Sequence, residues 1–181
     1  MRILIDNTIF VMVDIQQKFQ PHINDIDQVI KKAAILNKAT EILGLPLIVT
    51  EQNPKGLGQT IDEIYLPQQY ERFEKTKFSI LDDEIEAYIR TMKKDTLILY
   101  GIEAHICIMQ SVIEALTKEF IPVVVEDAVS SISLRNKQIA LDRIIREGGI
   151  VVSTEMLLFE LIKDAIHPDF KSISKLIRHG V

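Results

Sequence analysis

The sequence of 181 residues contains a single cysteine, so no disulfide can form within the chain. It has no apolar run of the roughly 18 residues that a transmembrane helix needs. Its first residues also lack the small-residue cleavage site of a secretory signal. The 26 acidic and 21 basic residues are mixed without a basic run, which argues against nucleic acid or an anionic membrane as a partner. We therefore expect a cytoplasmic protein.

Three motifs of well-defined chemistry are also missing. No G-x-G-x-x-G follows the first predicted strand, so we do not expect a nucleotide cofactor. No G-x-S-x-G is present, which argues against a serine hydrolase of that type. The histidines have no histidine partner two or four residues away, so their spacing does not predict a zinc site; they are His22, His105, His167 and His179. We therefore expect no cofactor and no metal.

What the sequence does contain is 47% apolar residues, in short runs that alternate with segments of helical period. The predicted strands are 9–14, 45–51, a short one at 72–73, 95–101, 122–127 and 149–154. The predicted helices are 26–43, 82–92, 105–118, 134–146 and 155–163. This alternation predicts one α/β domain over residues 1–181, a three-layer doubly wound sandwich with a mostly parallel sheet of about six strands. Ligands bind such sheets where strand order reverses, so we expect the site just after residues 14 and 101.

Polar residues occur at or near this expected crevice. Asp14 ends the first strand, where it is either a functional carboxylate or a turn cap. Cys107 lies in the first turn of a predicted helix, whose dipole and free N–H groups favour a thiolate and an oxyanion. Lone cysteines are nevertheless more often inert core residues. Lys75 and Lys77 flank Thr76, and a lysine near the thiol would lower its pKa, whereas two surface lysines would do nothing there.

Taken together, these segments resemble the isochorismatase-like cysteine hydrolases, the superfamily that includes nicotinamidases and N-carbamoylsarcosine amidohydrolase. The segment VDIQQKF matches the family's D-x-Q…F pattern at Asp14, Gln16 and Phe19, and GIEAHIC matches its strand-to-nucleophile turn. The segments TEQNPKGLG, EKTKFS, DAVSS and DAIHPDFKSISKLI look most like the subgroup of isochorismatase domain-containing proteins. The resemblance extends along nearly the whole chain.

This resemblance implies a catalytic triad of Asp14, Lys75 and Cys107. Lys75 is chosen over Lys77 because the subgroup's pattern is K-T-x-F-S. It also implies a cis peptide bond between Ile102 and Glu103, which would turn the N–H of Glu103 toward that of Cys107 and form a two-donor oxyanion hole.

The sequence departs from the nicotinamidases at one position. Those enzymes bind a metal through a D-x-H segment after the second strand, and the corresponding residues here are Glu51, Gln52 and Asn53. Asparagine is a poor replacement for imidazole on a transition metal, which puts both the metal and a nicotinamide-type substrate in doubt. Members that cleave the vinyl ether of isochorismate lack the cysteine, so its presence here favours acyl transfer.

The expected function is therefore a metal-free hydrolase of a small amide-like or related carbonyl substrate, acting through a covalent thioester. We expect Gln16, Phe19, Asn53 and His105 to form the wall of the substrate pocket. Two other interpretations stay open: a binding or scaffold protein that keeps the fold without turnover, and a redox sensor based on an activated cysteine. Only the hydrolase predicts an acyl-enzyme.

The C-terminal segments carry many apolar residues, and the family is generally oligomeric. We expect a homo-oligomer in which some of these residues pack on another subunit. They are Leu157, Leu158, Phe159, Leu161, Ile162, Phe170, Leu176 and Ile177.

Overall fold

The computed structural model describes residues 2–181. Over these residues, six strands form one sheet in the order β3-β2-β1-β4-β5-β6, with every neighbouring pair parallel. The strands are β1 (Thr8–Val13), β2 (Leu47–Gln52), β3 (Glu71–Lys75), β4 (Thr96–Gly101), β5 (Ile121–Val129) and β6 (Ile150–Val152). The predicted α/β fold with a parallel sheet is confirmed. The single-domain assignment stays a prediction.

The helices lie in the connections between strands and after β6. They are α1 (Ile26–Leu43), α2 (Pro54–Leu57), α3 (Asp83–Thr91), α4 (Met109–Thr117), α5 (Leu134–Glu147), α6 (Thr154–Ile162) and α7 (Phe170–His179). The bounds of α1 are those that its apolar period predicts, because Gly44 ends it in a left-handed conformation. The predicted helix at 105–118 differs: residues Ala104–Ile108 form a π-helical turn, and regular α-helix begins only at Met109.

Local sequence explains why several helices start where they do. The Asp82 side chain accepts hydrogen bonds from the N–H groups of Glu84 and Ile85 and so caps α3. Ser133 and Ser153 cap α5 and α6 in the same way. The sequence analysis did not predict the short helix α2, which begins at a proline, nor the full length of β3.

Two groups of helices cover the sheet. Helix α1 packs against β4 and β5 and also contacts α6 and α7, whereas α4 packs on β5 and on α5. The apolar residues of α6 and α7 are covered within this one chain: Leu157, Leu158, Leu161, Ile162 and Leu176 are buried, and Phe159, Phe170 and Ile177 pack against the core. The α1–α6–α7 layer therefore buries most of these residues without a second subunit, and the expected homo-oligomer stays a prediction.

Strand order reverses between β1 and β4, and each of these two strands is the first of its half of the sheet. The carboxyl ends of these two strands are unusually close. Gly101 has a φ of 143°, and a Cβ placed on it would lie 2.0 Å from the carbonyl oxygen of Val13. Only glycine permits this approach. It brings the residues after β1 and those after β4 to one point at the sheet edge.

Within residues 2–181, no helix is both long enough and apolar enough to span a bilayer. A cytoplasmic location stays a prediction.

Candidate active site

Asp14 is the first residue after β1 and is almost completely buried, with 1% of its surface exposed. Its φ of 55° is left-handed, and this turns the carboxylate away from the direction of the strand. Two contacts hold it there. Its N–H donates to the carbonyl of Thr50 (3.1 Å), and the Thr50 hydroxyl donates to Oδ1 (2.8 Å). The carboxylate is therefore fixed by the neighbouring strand β2.

Lys75 ends β3, two strands away from β1, and its ammonium reaches back to Asp14. Nζ lies 2.7 Å from Oδ2 of Asp14, and no more than 2% of the surface of either side chain is exposed. Nζ also donates to Oε1 of Gln52 (2.7 Å) and lies near the carbonyl oxygens of Phe78 (3.1 Å) and Lys77 (3.2 Å). Lys77 itself is exposed. The structure therefore places Lys75, and not Lys77, beside Asp14.

Cys107 lies in the π-helical turn after β4 and is 6% exposed. Burial raises the pKa of the thiol well above its ordinary value, and the negative charge of Asp14 raises it further. The charge of Lys75 acts in the opposite direction but does not outweigh these effects. The expected lowering of the thiol pKa is therefore wrong: the ammonium is already paired with a carboxylate, so the thiol is held in its neutral form.

The backbone around Glu103 also differs from the expectation. The peptide bond between Ile102 and Glu103 is trans, so the predicted cis bond is wrong for this structure. The turn is instead made by Glu103 itself, with a left-handed φ of 54°. The N–H of Cys107 donates to the carbonyl of Glu103 (3.1 Å), as does that of Ile106 (2.8 Å). The structure thus shows the Cys107 N–H in a hydrogen bond within the turn.

A cavity of about 380 Å³ opens over the thiol. Its wall is formed by Phe19, Gln52, Asn53, Gly56, Leu57, Phe78, Glu103, Ile106, Cys107 and Ile132. Much of this wall is apolar, and its polar side chains other than Cys107 are those of Gln52, Asn53 and Glu103. Of the predicted pocket residues, Phe19 and Asn53 lie on it. Phe78 and Ile132 are about half exposed and form its mouth.

The other two predicted pocket residues are not on this wall. Gln16 is completely buried, and its amide group is used by backbone: Nε2 donates to the carbonyls of Gly58 (2.6 Å) and Gln52 (3.1 Å), and Oε1 accepts from the N–H of Gln52 (2.8 Å). It therefore fastens the end of β2 to the following loop. His105 lies behind the turn, where Nδ1 is 3.1 Å from the Ser131 hydroxyl and 3.2 Å from Oε2 of Glu103.

The sequence analysis missed Thr50 and Gln52, which hold Asp14 and Lys75. A signal was present, because T-E-Q is a polar run at the carboxyl end of the strand next to β1. It also missed the mouth residues Phe78 and Ile132. Phe78 belongs to the K-T-x-F-S segment, which was used only to choose the lysine, whereas the segment around Ile132 gave no such signal.

A second, larger groove of about 640 Å³ lies at the opposite end of the sheet. It is bordered by Leu47 and Glu71, the first residues of β2 and β3, and its wall contains no cysteine, histidine or lysine. We place the candidate site at the smaller cavity because Cys107 lines it and the buried pair of Asp14 and Lys75 is close enough to shift the pKa of that thiol. Within residues 2–181, no three His, Cys, Asp or Glu side chains are grouped so that they could hold a metal ion.

Comparison with known proteins agrees with the fold. Residues 8–156 match the isochorismatase domain, so the chain belongs to the isochorismatase family. Within it, the chain is similar to the isochorismatase domain-containing proteins of animals. It is 36% identical to protein 2 of Danio rerio, covering 98% of this chain and 90% of that one.

Two further relatives extend this comparison. Isochorismatase domain-containing protein 1 of Salmo salar is 38% identical over 94% of this chain, although the chain spans only 61% of that protein's length. A solved structure described as MAR1 ribonuclease from Caenorhabditis elegans is 36% identical and superimposes with a TM-score of 0.94. That comparison covers 98% of this chain and 93% of the other.

Proposed function

We propose that this protein is a cysteine-dependent hydrolase of a small amide-like or related carbonyl substrate. Cys107 is the nucleophile, Asp14 the general base and acid, and Lys75 the group that keeps Asp14 charged and oriented. The observation that carries this proposal is the buried ion pair of Asp14 and Lys75 beside the only cysteine, whose own side chain lines a cavity. A buried carboxylate–ammonium pair is costly to desolvate, and a functional site is one place where proteins retain it.

The raised pKa of the thiol determines the order of events. The resting nucleophile is the neutral thiol, so its proton must leave as Sγ attacks the substrate carbonyl, and Asp14 accepts it. The tetrahedral intermediate then collapses: the C–N bond breaks, Asp14 returns the proton to the leaving amine, and a thioester remains. Water attacks the thioester while Asp14 accepts one of its protons. The C–S bond then breaks, the acid product leaves, and Asp14 returns the proton to Sγ, which restores the thiol.

The oxyanion of the tetrahedral intermediate needs hydrogen-bond donors. We assign this role to the backbone N–H groups of Glu103 and Cys107, which belong to the turn that presents the nucleophile. Because the N–H of Cys107 donates to the carbonyl of Glu103 in this structure, it has to exchange that bond for one to the oxyanion. One such donor typically contributes about 3–4 kcal/mol to the stability of the transition state.

The wall of the cavity indicates the size and polarity of the substrate. Phe19, Leu57 and Ile106 suit a compact apolar body, and the volume of about 380 Å³ suits a small molecule rather than a polymer. Asn53 is exposed on the wall, and its side chain makes no capping hydrogen bond to helix α2. It is the group we assign to hydrogen bonding with the amide or carbonyl of the substrate.

The Caenorhabditis elegans relative is described as a ribonuclease, but this site does not favour that activity. The ten wall residues of the cavity include no lysine or arginine, and the sequence as a whole has a net charge of −5. Nucleases need cationic groups or metal ions to bind phosphates. The remaining alternative is a binding or scaffold protein without turnover.

A screen of small amides and carbamoyl compounds by intact-mass spectrometry tests the proposal. We expect at least one compound to add its acyl mass to the wild-type protein and to be released as the acid. Cys107→Ser should not form the thioester, and Asp14→Asn should form it at least about 100-fold more slowly. Lys77→Met, which changes an exposed lysine two residues from Lys75, serves as the matched control. Turnover without any adduct at Cys107, or equal rates in Asp14→Asn, would contradict the mechanism.

A further inference from the structure

The charges of the residues around Sγ of Cys107 do not sum to zero. Asp14 and Lys75 form a closed pair at 2.7 Å, and their charges compensate each other. Glu103 is the one acidic residue on the wall of the cavity, and no lysine or arginine lies on that wall. The site around the nucleophile therefore carries one uncompensated negative charge.

The hydrogen bonds of Glu103 do not remove this charge. Its side chain is 6% exposed, Oε1 accepts from the N–H of Ile132 (3.2 Å), and Oε2 lies 3.2 Å from Nδ1 of His105. The N–H of Ile132 is neutral and holds the carboxylate in place without balancing its charge, and no lysine or arginine on the cavity wall balances it. The charge is also felt at the nucleophile, because Glu103 contributes to the raised pKa of Cys107.

We propose that Glu103 is a charge-selecting residue, which makes this cavity accept neutral or cationic small molecules and reject anionic ones. The inference deepens the proposed function by naming its substrate class: an amide-like compound with an uncharged or amine-bearing body, and not a carboxylate. A negative charge brought next to Glu103 meets repulsion in a site with little water to screen it. A positive charge is attracted and also offsets the negative charge that develops on the oxyanion.

Lysines at the rim of the cavity attract anions, so their influence has to be separated from the repulsion of anions by Glu103. Lys18 is exposed and donates to the carbonyl of Gly56, a wall residue, at 2.7 Å. Lys77 is exposed beside Phe78 at the mouth. Because both ammonium groups are in contact with solvent, salt screens them far more than it screens Glu103. Measurements at 0.3 M salt therefore report mainly on the interior of the cavity.

The single cysteine allows this proposal to be tested without knowing the substrate. Three methanethiosulfonate reagents are compared: the neutral methyl, the cationic trimethylammonioethyl and the anionic sulfonatoethyl compound. Each forms a mixed disulfide with Cys107, and intact-mass spectrometry measures how fast it forms. Each rate is measured at pH 8 and divided by the rate with free 2-mercaptoethanol. We expect the cationic reagent to react at least about tenfold faster than the anionic one, and this ratio to approach one in Glu103→Gln.

Glu103→Gln keeps the size of the side chain and an oxygen that can accept from Ile132. If Glu103→Gln does not fold, the ratio of the cationic to the anionic rate in the wild-type protein still tests the proposal, because a ratio of one or below overturns it. Lys18→Gln should keep the wild-type ratio within about twofold at this salt concentration; a larger change would place the selectivity at the rim and overturn the role of Glu103. The test needs no acyl transfer. A charge-selective cavity in a protein that forms no acyl-enzyme would therefore refute the proposed function and leave this inference standing.

Discussion

The buried ion pair offers the sharpest test of the site, through the variant Lys75→Met. Methionine has a similar length but no charge, so the change leaves the Asp14 carboxylate buried with the Thr50 hydroxyl as its remaining side-chain donor. Leaving one partner of a buried ion pair uncompensated costs about 3–5 kcal/mol. The carbonyl and amide oxygens that Nζ contacts lose a donor as well, at about 1 kcal/mol each at most.

The structure also predicts an asymmetry between the two partners. In Asp14→Asn the ammonium of Lys75 keeps its contacts with Oε1 of Gln52 and with two backbone carbonyls. That variant should therefore lose less stability than Lys75→Met. The double variant removes both charges, so it should be more stable than the sum of the two single losses predicts, by at least about 1 kcal/mol.

Urea unfolding followed by circular dichroism measures these free energies. Lys77→Met is the control, because its side chain is exposed; we expect it to stay within about 0.5 kcal/mol of the wild type. A loss below 1 kcal/mol in Lys75→Met would refute the reasoning. So would strict additivity in the double variant, because it would show that the two charges do not interact.

Other measurements test the rest of the structure. Because burial raises the pKa of Cys107, alkylation by iodoacetamide should be slow at pH 6.5 and still rise with pH beyond the ordinary thiol value of about 8.5; fast labelling that levels off below pH 8 would contradict the buried neutral thiol. Burial raises the pKa of Asp127, but its contacts with Lys32 and Thr154 outweigh this and lower it overall. Asp127→Asn should therefore lose about 1–3 kcal/mol at pH 7, and this difference from the wild type should shrink as pH falls below 4, which urea titrations at both pH values can check. Elemental analysis should find no stoichiometric transition metal, and a chelator should leave any hydrolytic activity unchanged; one tightly bound zinc or iron per chain would refute this. Sedimentation equilibrium tests the expected homo-oligomer, and a monomer of about 20.7 kDa at all concentrations would refute it. Leu158→Glu should unfold the chain, because Leu158 is completely buried within one protomer.

Local sequence determined the elements of this fold. The apolar period of α1, ended by Gly44, predicted its bounds, and the apolar run of residues 95–101 predicted β4. The chemistry of the site was also recognisable in part, because Asp14 and Cys107 each follow a predicted strand, and the resemblance to the subgroup's K-T-x-F-S pattern selected Lys75. These features depend on neighbours within a few positions along the chain, so a single sequence contains them.

Tertiary structure decided how these residues act. Lys75 is 61 residues from Asp14 in the chain, and the two meet only because β2 lies between β1 and β3 and brings Thr50 and Gln52 into the same site. The same packing buries Cys107 and pairs the lysine with the carboxylate, which reverses the expected direction of the thiol pKa. It also covers the apolar face of α6 and α7 within one chain. Desolvation and charge pairing depend on what surrounds a side chain in three dimensions, and residues far apart in the sequence supply those surroundings.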